Sequence, residues 1–187
     1  EEIDNNSARG GWGFSDHALF EHSLDVINNI TQPSMSIILT LTNHHPHKIP
    51  EDIPDGIINK KLPLEPHQMI QYVDWSFGEF FKRLEEENPH TLVIFTADEG
   101  SLLNYMGAEP SYRDLRRNYR LPLMLLSPKM PEEIAGASCD SLGSLVDIAP
   151  TLLDLLGDRK IQQQFMGESL FHNKDKSYAY WADTIFA

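Results

Sequence analysis

The sequence predicts an α/β fold, a mostly parallel sheet flanked by helices, on three observations. Short aliphatic and β-branched runs bounded by polar or turn residues occupy 35–42, 91–97 and 121–127. None alternates cleanly between apolar and polar positions, as expected of strands covered on both faces. Segments with apolar residues at helical spacing precede, separate and follow these runs. Polar clusters rich in His, Asp and Glu stand directly after two of the runs, where open α/β sheets place their ligands.

Taken in order, a helix is expected over 15–30, with Ser15 or Asp16 as N-cap and Leu19, Phe20, Leu24 and Ile27 inward. The run 35–42 follows, and then a connection carrying Pro46, Pro50, Pro54, Pro63 and Pro66. It is too long for a simple turn, and long ordered loops often carry function. From Pro66 to about Glu87, Met69, Tyr72, Val73, Phe77, Phe80, Phe81 and Leu84 form one helical stripe, which Asn88-Pro89 ends. After the runs 91–97 and 121–127, a third helix is expected to begin at Asp147 as N-cap. It has Pro150 in its first turn and a left-handed cap at Gly157.

The 187 residues suit one domain, 1–187, with 41% apolar residues to supply its core. Fifteen Lys and Arg against 28 Asp and Glu give a net charge of −13. An acidic surface without a basic stripe argues against nucleic acid and anionic membrane as partners. The single cysteine, Cys139, excludes an intrachain disulfide and a multi-cysteine zinc site. The longest apolar stretches, near 37–39 and 123–126, are far short of the roughly 20 residues that span a bilayer.

Chemistry is expected at the two polar clusters. Asp98-Glu99-Gly100 offers adjacent carboxylates to a hard divalent cation; the same residues also suit a cap followed by a solvated glutamate. Asn43-His44-His45-Pro46-His47 brings three imidazoles within four residues. They suit metal binding, proton transfer or donation to phosphate oxygens, and equally a solvated polar loop. Arg120, at the end of a basic run with Arg113, Arg116 and Arg117, reads as an ion-pairing residue, with bidentate binding of phosphate or sulfate as the alternative. Trp12, set among Gly10, Gly11 and Gly13, reads as an anchor into the core, with substrate stacking as the alternative. Cys139 has no activating base in its local sequence.

Seven short motifs stand in one order: Trp12-Gly13-Phe14-Ser15-Asp16 through Phe20; Thr40-Leu41-Thr42-Asn43-His44-His45-Pro46; the helix with Tyr72, Asp74, Phe77-Gly78 and Phe80-Phe81; Thr91 through Asp98-Glu99-Gly100; Arg120-Leu121-Pro122-Leu123; Val146-Asp147-Ile148-Ala149-Pro150-Thr151-Leu152-Leu153 to Gly157; and Met166-Gly167-Glu168-Ser169-Leu170-Phe171. Together they resemble the sulfatase-like enzymes of the alkaline phosphatase superfamily, in particular the branch of lipoteichoic acid synthase and related phosphoglycerol transferases.

The resemblance implies an alkaline phosphatase-like fold, present in part. It implies that Asp98 is a metal ligand, matching the Asp of the family's Asp-His-Gly motif, with Glu99 in place of that His. His44 matches the histidine that contacts the phosphate-bearing group of the substrate. His45 and His47 stand where the family usually has aromatic residues. A second carboxylate favours Mn²⁺ or Mg²⁺ over Zn²⁺. The family's nucleophile and a further acidic ligand lie upstream of the matched segment. The chain is therefore expected to be the C-terminal portion of a catalytic domain, partnered by the upstream part of the same protein and by a phosphate- or sulfate-ester substrate. Its expected location is the extracytoplasmic face of the membrane or the periplasm. The competing class is a sulfatase-like binding or regulatory module without catalysis. Asp147 is expected to cap a helix, and Asp74 and Arg120 to be structural.

Overall fold

The computed structural model describes residues 9–62, 65–98, 100, 120–138, 142–158, 164–171, 179–181 and 184–186. The chain forms two compact units, Glu1–Met130 and Pro131–Ala187.

In the first unit, helix α1 (Asp16–Asn29) packs against helix α2 (Glu65–Glu87). Ser15 caps α1 by accepting the amide of Ala18, which satisfies one of the donors that a helix start leaves unpaired. The buried face of α2 runs through Met69, Tyr72, Ser76, Phe80 and Leu84, spacings of three and four residues that keep one stripe inward. Phe20 and Leu24 of α1 meet Phe80 and Leu84 there, with Ile38, Phe77, Phe81 and Val93 around them. Phe20 stacks on Phe80 with ring centroids 4.6 Å apart, inside the range favoured by aromatic pairs. Arg83 ties the helices at the surface, reaching Glu21 at 2.5 Å and Glu87 at 2.8 Å. These two contacts raise the Arg83 pKa further, and the guanidinium with Asn28 holds the Glu87 carboxyl low.

Strands β1 (Val93–Thr96) and β2 (Leu123–Leu126) lie within the expected runs, but they pair antiparallel, Val93 opposite Leu126 and Thr96 opposite Leu123. An apolar run reports burial and carries no information on strand direction, which the connection decides; the parallel expectation for this pair is corrected accordingly. Phe95 anchors β1 to α2 through an edge-on contact with Phe77, centroids 4.8 Å apart.

The run 35–42 is also corrected. It forms no strand and joins no ladder among the described residues. Ile38 faces the core, whereas Met35, Ile37, Leu39 and Leu41 are exposed. From Ile37 to Thr42 exposure alternates as in a strand, with the aliphatic Ile37, Leu39 and Leu41 outward and Ile38, Thr40 and Thr42 less exposed.

In the second unit a 3₁₀ turn (Leu145–Asp147) leads into α3 (Ile148–Leu155), and β3 (Ala179–Trp181) pairs antiparallel with β4 (Thr184–Phe186). Gly157 ends α3 at φ 78° as expected. Its amide and that of Asp158 return to the carbonyls of Asp154 and Leu153, the paired closure of a Schellman motif.

Candidate functional site

The histidine segment is held from below by one buried carboxylate. Oδ1 of Asp16 accepts from the backbone amides of Leu41 and Thr42 at 3.1 and 3.0 Å and from the Thr42 hydroxyl at 2.7 Å. The amide of Asp16 donates to that hydroxyl at 2.8 Å. Asp16 and Thr42 are 1% and 2% exposed, so these bonds form away from competing water. Among the described residues nothing pairs with the buried Oδ2 of Asp16 or with either ring nitrogen of His47.

From this clamp the chain turns sharply. The His44 amide donates to the Leu41 carbonyl at 3.0 Å, and the His47 amide to the His44 carbonyl at 3.1 Å. The His45–Pro46 bond is cis, and His47 takes φ 56°. His44 and His45 are left exposed, and His47 is buried. Nδ1 of His44 lies 2.8 Å from the His45 carbonyl oxygen. That oxygen only accepts, so Nδ1 carries the proton and Nε2 is presented outward.

A second loop packs beside the histidines. The Gly10 amide donates to the Gly13 carbonyl at 2.9 Å, and the Arg9 guanidinium covers the Phe14 ring at 4.3 Å. Gly11 lies directly against Pro46: a Cβ there would come within 2.9 Å of the proline Cδ, so only glycine permits this approach. The contact sets the Trp12 ring 4.1 Å from the His44 ring, tilted by 38°. The expected core anchoring of Trp12 is corrected, because the residue is 65% exposed.

The proline-rich connection is pinned at Asp52. Its carboxylate accepts from the Ser15 hydroxyl at 2.5 Å and from the Tyr72 hydroxyl at 3.0 Å. Tyr72 in turn accepts the His17 amide at 3.3 Å. Burial, reinforced by the charge of Asp52, pushes the Tyr72 phenol up from 10.0 to about 12. The folded state therefore keeps a proton that the unfolded chain releases near pH 10. This stabilisation is complete below pH 10 and is lost as pH rises through about 12. Chemical denaturation between pH 9 and 12 is expected to show falling stability in the wild type and a shallower fall in Tyr72→Phe. Parallel slopes would contradict the assignment.

Asp98 stands exposed two residues beyond the end of β1, positioned by the packing of that strand on α2. Glu99 lies outside the described residues, as do Cys139, Arg113, Arg116 and Arg117. Arg120 is exposed ahead of β2, and Asp74 is exposed on α2. Among the described residues no three His, Cys, Asp or Glu side chains converge to hold a metal. A carboxylate such as that of Asp98 is a hard oxygen donor of the kind that Mn²⁺ or Mg²⁺ takes. No helix among the described residues is long and apolar enough to cross a membrane.

Asp147 does not cap α3 through its side chain. Its fully buried carboxylate instead accepts from the Ser144 amide at 2.8 Å, the Ser144 hydroxyl at 3.1 Å and the Glu168 amide at 2.9 Å. It joins two motifs that are distant in sequence. The clamp of Asp16 and the Tyr72–Asp52 link likewise escaped sequence reasoning, since pairings across 26 and 20 residues leave no periodic trace.

The sulfatase family model matches residues 1–158. The chain belongs to the sulfatase family. Relatives of this sulfatase-family chain include the lipoteichoic acid synthase-like protein YvgJ of Bacillus subtilis, 27% identical over 78% of this chain and 26% of its own length. Lipoteichoic acid synthase 1 of the same organism is 26% identical over 85% of this chain and 26% of its own length. The chain thus spans about a quarter of these relatives. A solved protein of the alkaline phosphatase superfamily from Vibrio parahaemolyticus superposes with a TM-score of 0.70, at 19% identity, over 97% of this chain and 44% of that one. The fold is the α/β fold of that superfamily, present in part.

Proposed function

We propose that this chain is the C-terminal portion of a catalytic domain that performs metal-dependent transfer or hydrolysis of phosphate or sulfate esters, with a phosphoglycerol-type group as substrate. His44 holds the anionic ester through Nε2, and Asp98 and Glu99 hold Mn²⁺ or Mg²⁺. The observation that carries the reading is His44: an exposed imidazole with its tautomer fixed by the His45 carbonyl, on a turn clamped by buried Asp16. With Nδ1–H held by the His45 carbonyl, Nε2 donates to an anion in the imidazolium form and takes a proton in the neutral form. A bound divalent cation supplies charge stabilisation to the anionic centre. The attacking hydroxyl comes from a segment of the protein outside this chain, as the family resemblance implies. The same resemblance, with lipoteichoic acid synthases among the relatives, supports action on the extracytoplasmic side of the membrane.

Calorimetric titration with inorganic phosphate in the presence of Mn²⁺ tests the anion site. A charge-assisted hydrogen bond contributes about 1.5–3 kcal/mol, so His44→Ala is expected to weaken binding by roughly tenfold or more. Unchanged affinity would remove His44 from the site.

A further inference from the structure

Two restraints meet on the His44 side chain, and only one of them comes from the histidine turn itself. Nδ1 lies 2.8 Å from the His45 carbonyl oxygen, but His44 is exposed. A hydrogen bond that water can replace does little to hold a side chain. The second restraint is Trp12. Ring centroids 4.1 Å apart put the imidazole over the indole face, tilted by 38°. The loop that carries the indole is fixed in turn. The Gly10 amide closes it on the Gly13 carbonyl at 2.9 Å, and Gly11 sits against Pro46, a member of the same turn as His44. Core packing does not account for the place of this ring, which is 65% exposed.

We propose that Trp12 is a positioning residue for His44, holding the imidazole with Nε2 turned toward the anionic group. The inference rests on the anion-binding reading of His44 and deepens it. The face of an indole is the negative pole of its quadrupole, and it attracts a cation lying within about 6 Å of the ring centroid. The imidazolium donates from Nε2 to an anion, and it is also the form that the indole face draws in. A side chain already held in its binding orientation loses little further freedom when the anion arrives. Trp12 acts through His44 and has no contact of its own with the anion to make.

Calorimetric titration of the full chain with inorganic phosphate, in Mn²⁺, tests the proposal on the wild type, on Trp12→Ala, Trp12→Leu, Trp12→Phe and His44→Ala, and on the double variant of Trp12→Ala with His44→Ala. Trp12→Ala is expected to weaken phosphate about fivefold, less than the loss of His44 itself. Trp12→Phe should restore most of that loss, whereas Trp12→Leu, which keeps apolar bulk without a π face, should bind as weakly as Trp12→Ala. With His44 already replaced, Trp12→Ala should change affinity by less than about twofold, because nothing is left to position. A direct contact of Trp12 with the anion, or a general loosening of the turn, would carry the full loss into that background. Affinity that is unchanged in His44→Ala removes the anion-binding reading and this inference with it. Affinity that depends on His44 but is unchanged in Trp12→Ala, or is as tight in Trp12→Leu as in the wild type, leaves that reading standing and overturns the role given to Trp12.

Discussion

Replacing Asp16 with Ala is expected to destabilise the first unit by about 3–5 kcal/mol, because it strands several buried donors at once and each costs roughly 1–3 kcal/mol. The amides of Leu41 and Thr42 and the Thr42 hydroxyl all point at one carboxylate oxygen. Water cannot replace it where Asp16 and Thr42 are sealed. The consequence extends to function, since the next turn carries His44. Asp16→Asn keeps an acceptor of similar shape and should lose less. Denaturant unfolding measures the loss, and hydrogen exchange at Leu41 and Thr42 should accelerate in Asp16→Ala before exchange elsewhere does. An unchanged midpoint with protected Leu41 and Thr42 amides would show that the clamp is not what holds the turn.

Gly167→Ala is expected to be comparably severe in the second unit. An added Cβ would lie 2.1 Å from the Val146 carbonyl oxygen and 2.9 Å from the Asp147 nitrogen. These are backbone atoms of a helix start, with no rotamer to change, so the two segments must separate. Separation would break the bond from the Glu168 amide to Asp147 at 2.9 Å and that from the Leu170 amide to Thr151 at 3.1 Å. Overpacking together with the loss of buried hydrogen bonds costs about 3 kcal/mol or more. Thermal unfolding should show a lower midpoint in Gly167→Ala. A midpoint within one or two degrees of the wild type would mean that this close approach does not persist in solution.

The elements legible in the sequence were those written in local pattern. The α2 stripe from Met69 to Leu84, the Ser15 cap and the Gly157 terminus each follow from spacing or a single backbone requirement, and the structure places them as expected. The short runs of β1 and β2 were also visible, but their direction was not, because aliphatic residues on both faces specify burial alone. The run 35–42 misled for a different reason. Its odd-numbered members are aliphatic yet exposed, so composition suggested a covered strand where the described residues supply no partner.

At the candidate site the sequence singled out His44 and Asp98 through their place after apolar runs, whereas the residues that fix His44 were read as ordinary. Asp16 looked like one of two possible caps, yet its side chain reaches 25 residues along the chain to Leu41. Asp147 looked like the N-cap of α3; its carboxylate instead closes a capping box with Ser144 at the 3₁₀ turn ahead of that helix and also accepts the Glu168 amide. A carboxylate that gathers distant backbone amides has the same local sequence as one that caps a helix. A large aromatic such as Trp12 ordinarily anchors in a core, but here it stays exposed, next to the Gly11–Pro46 contact that no linear pattern encodes.

The central claim is that this chain carries the hard-cation donors at Asp98 and Glu99 and an anion-holding His44 that does not ligate the metal. Mn²⁺ titration calorimetry on the wild type, Asp98→Ala, Glu99→His and His44→Ala measures it directly. The expected result is weak wild-type binding, as two carboxylates leave most of the coordination sphere to water. Asp98→Ala should abolish it, Glu99→His should shift preference toward Zn²⁺, and His44→Ala should leave it intact. Binding that survives Asp98→Ala but disappears in His44→Ala and His47→Ala would place the metal on the histidine turn and contradict the account.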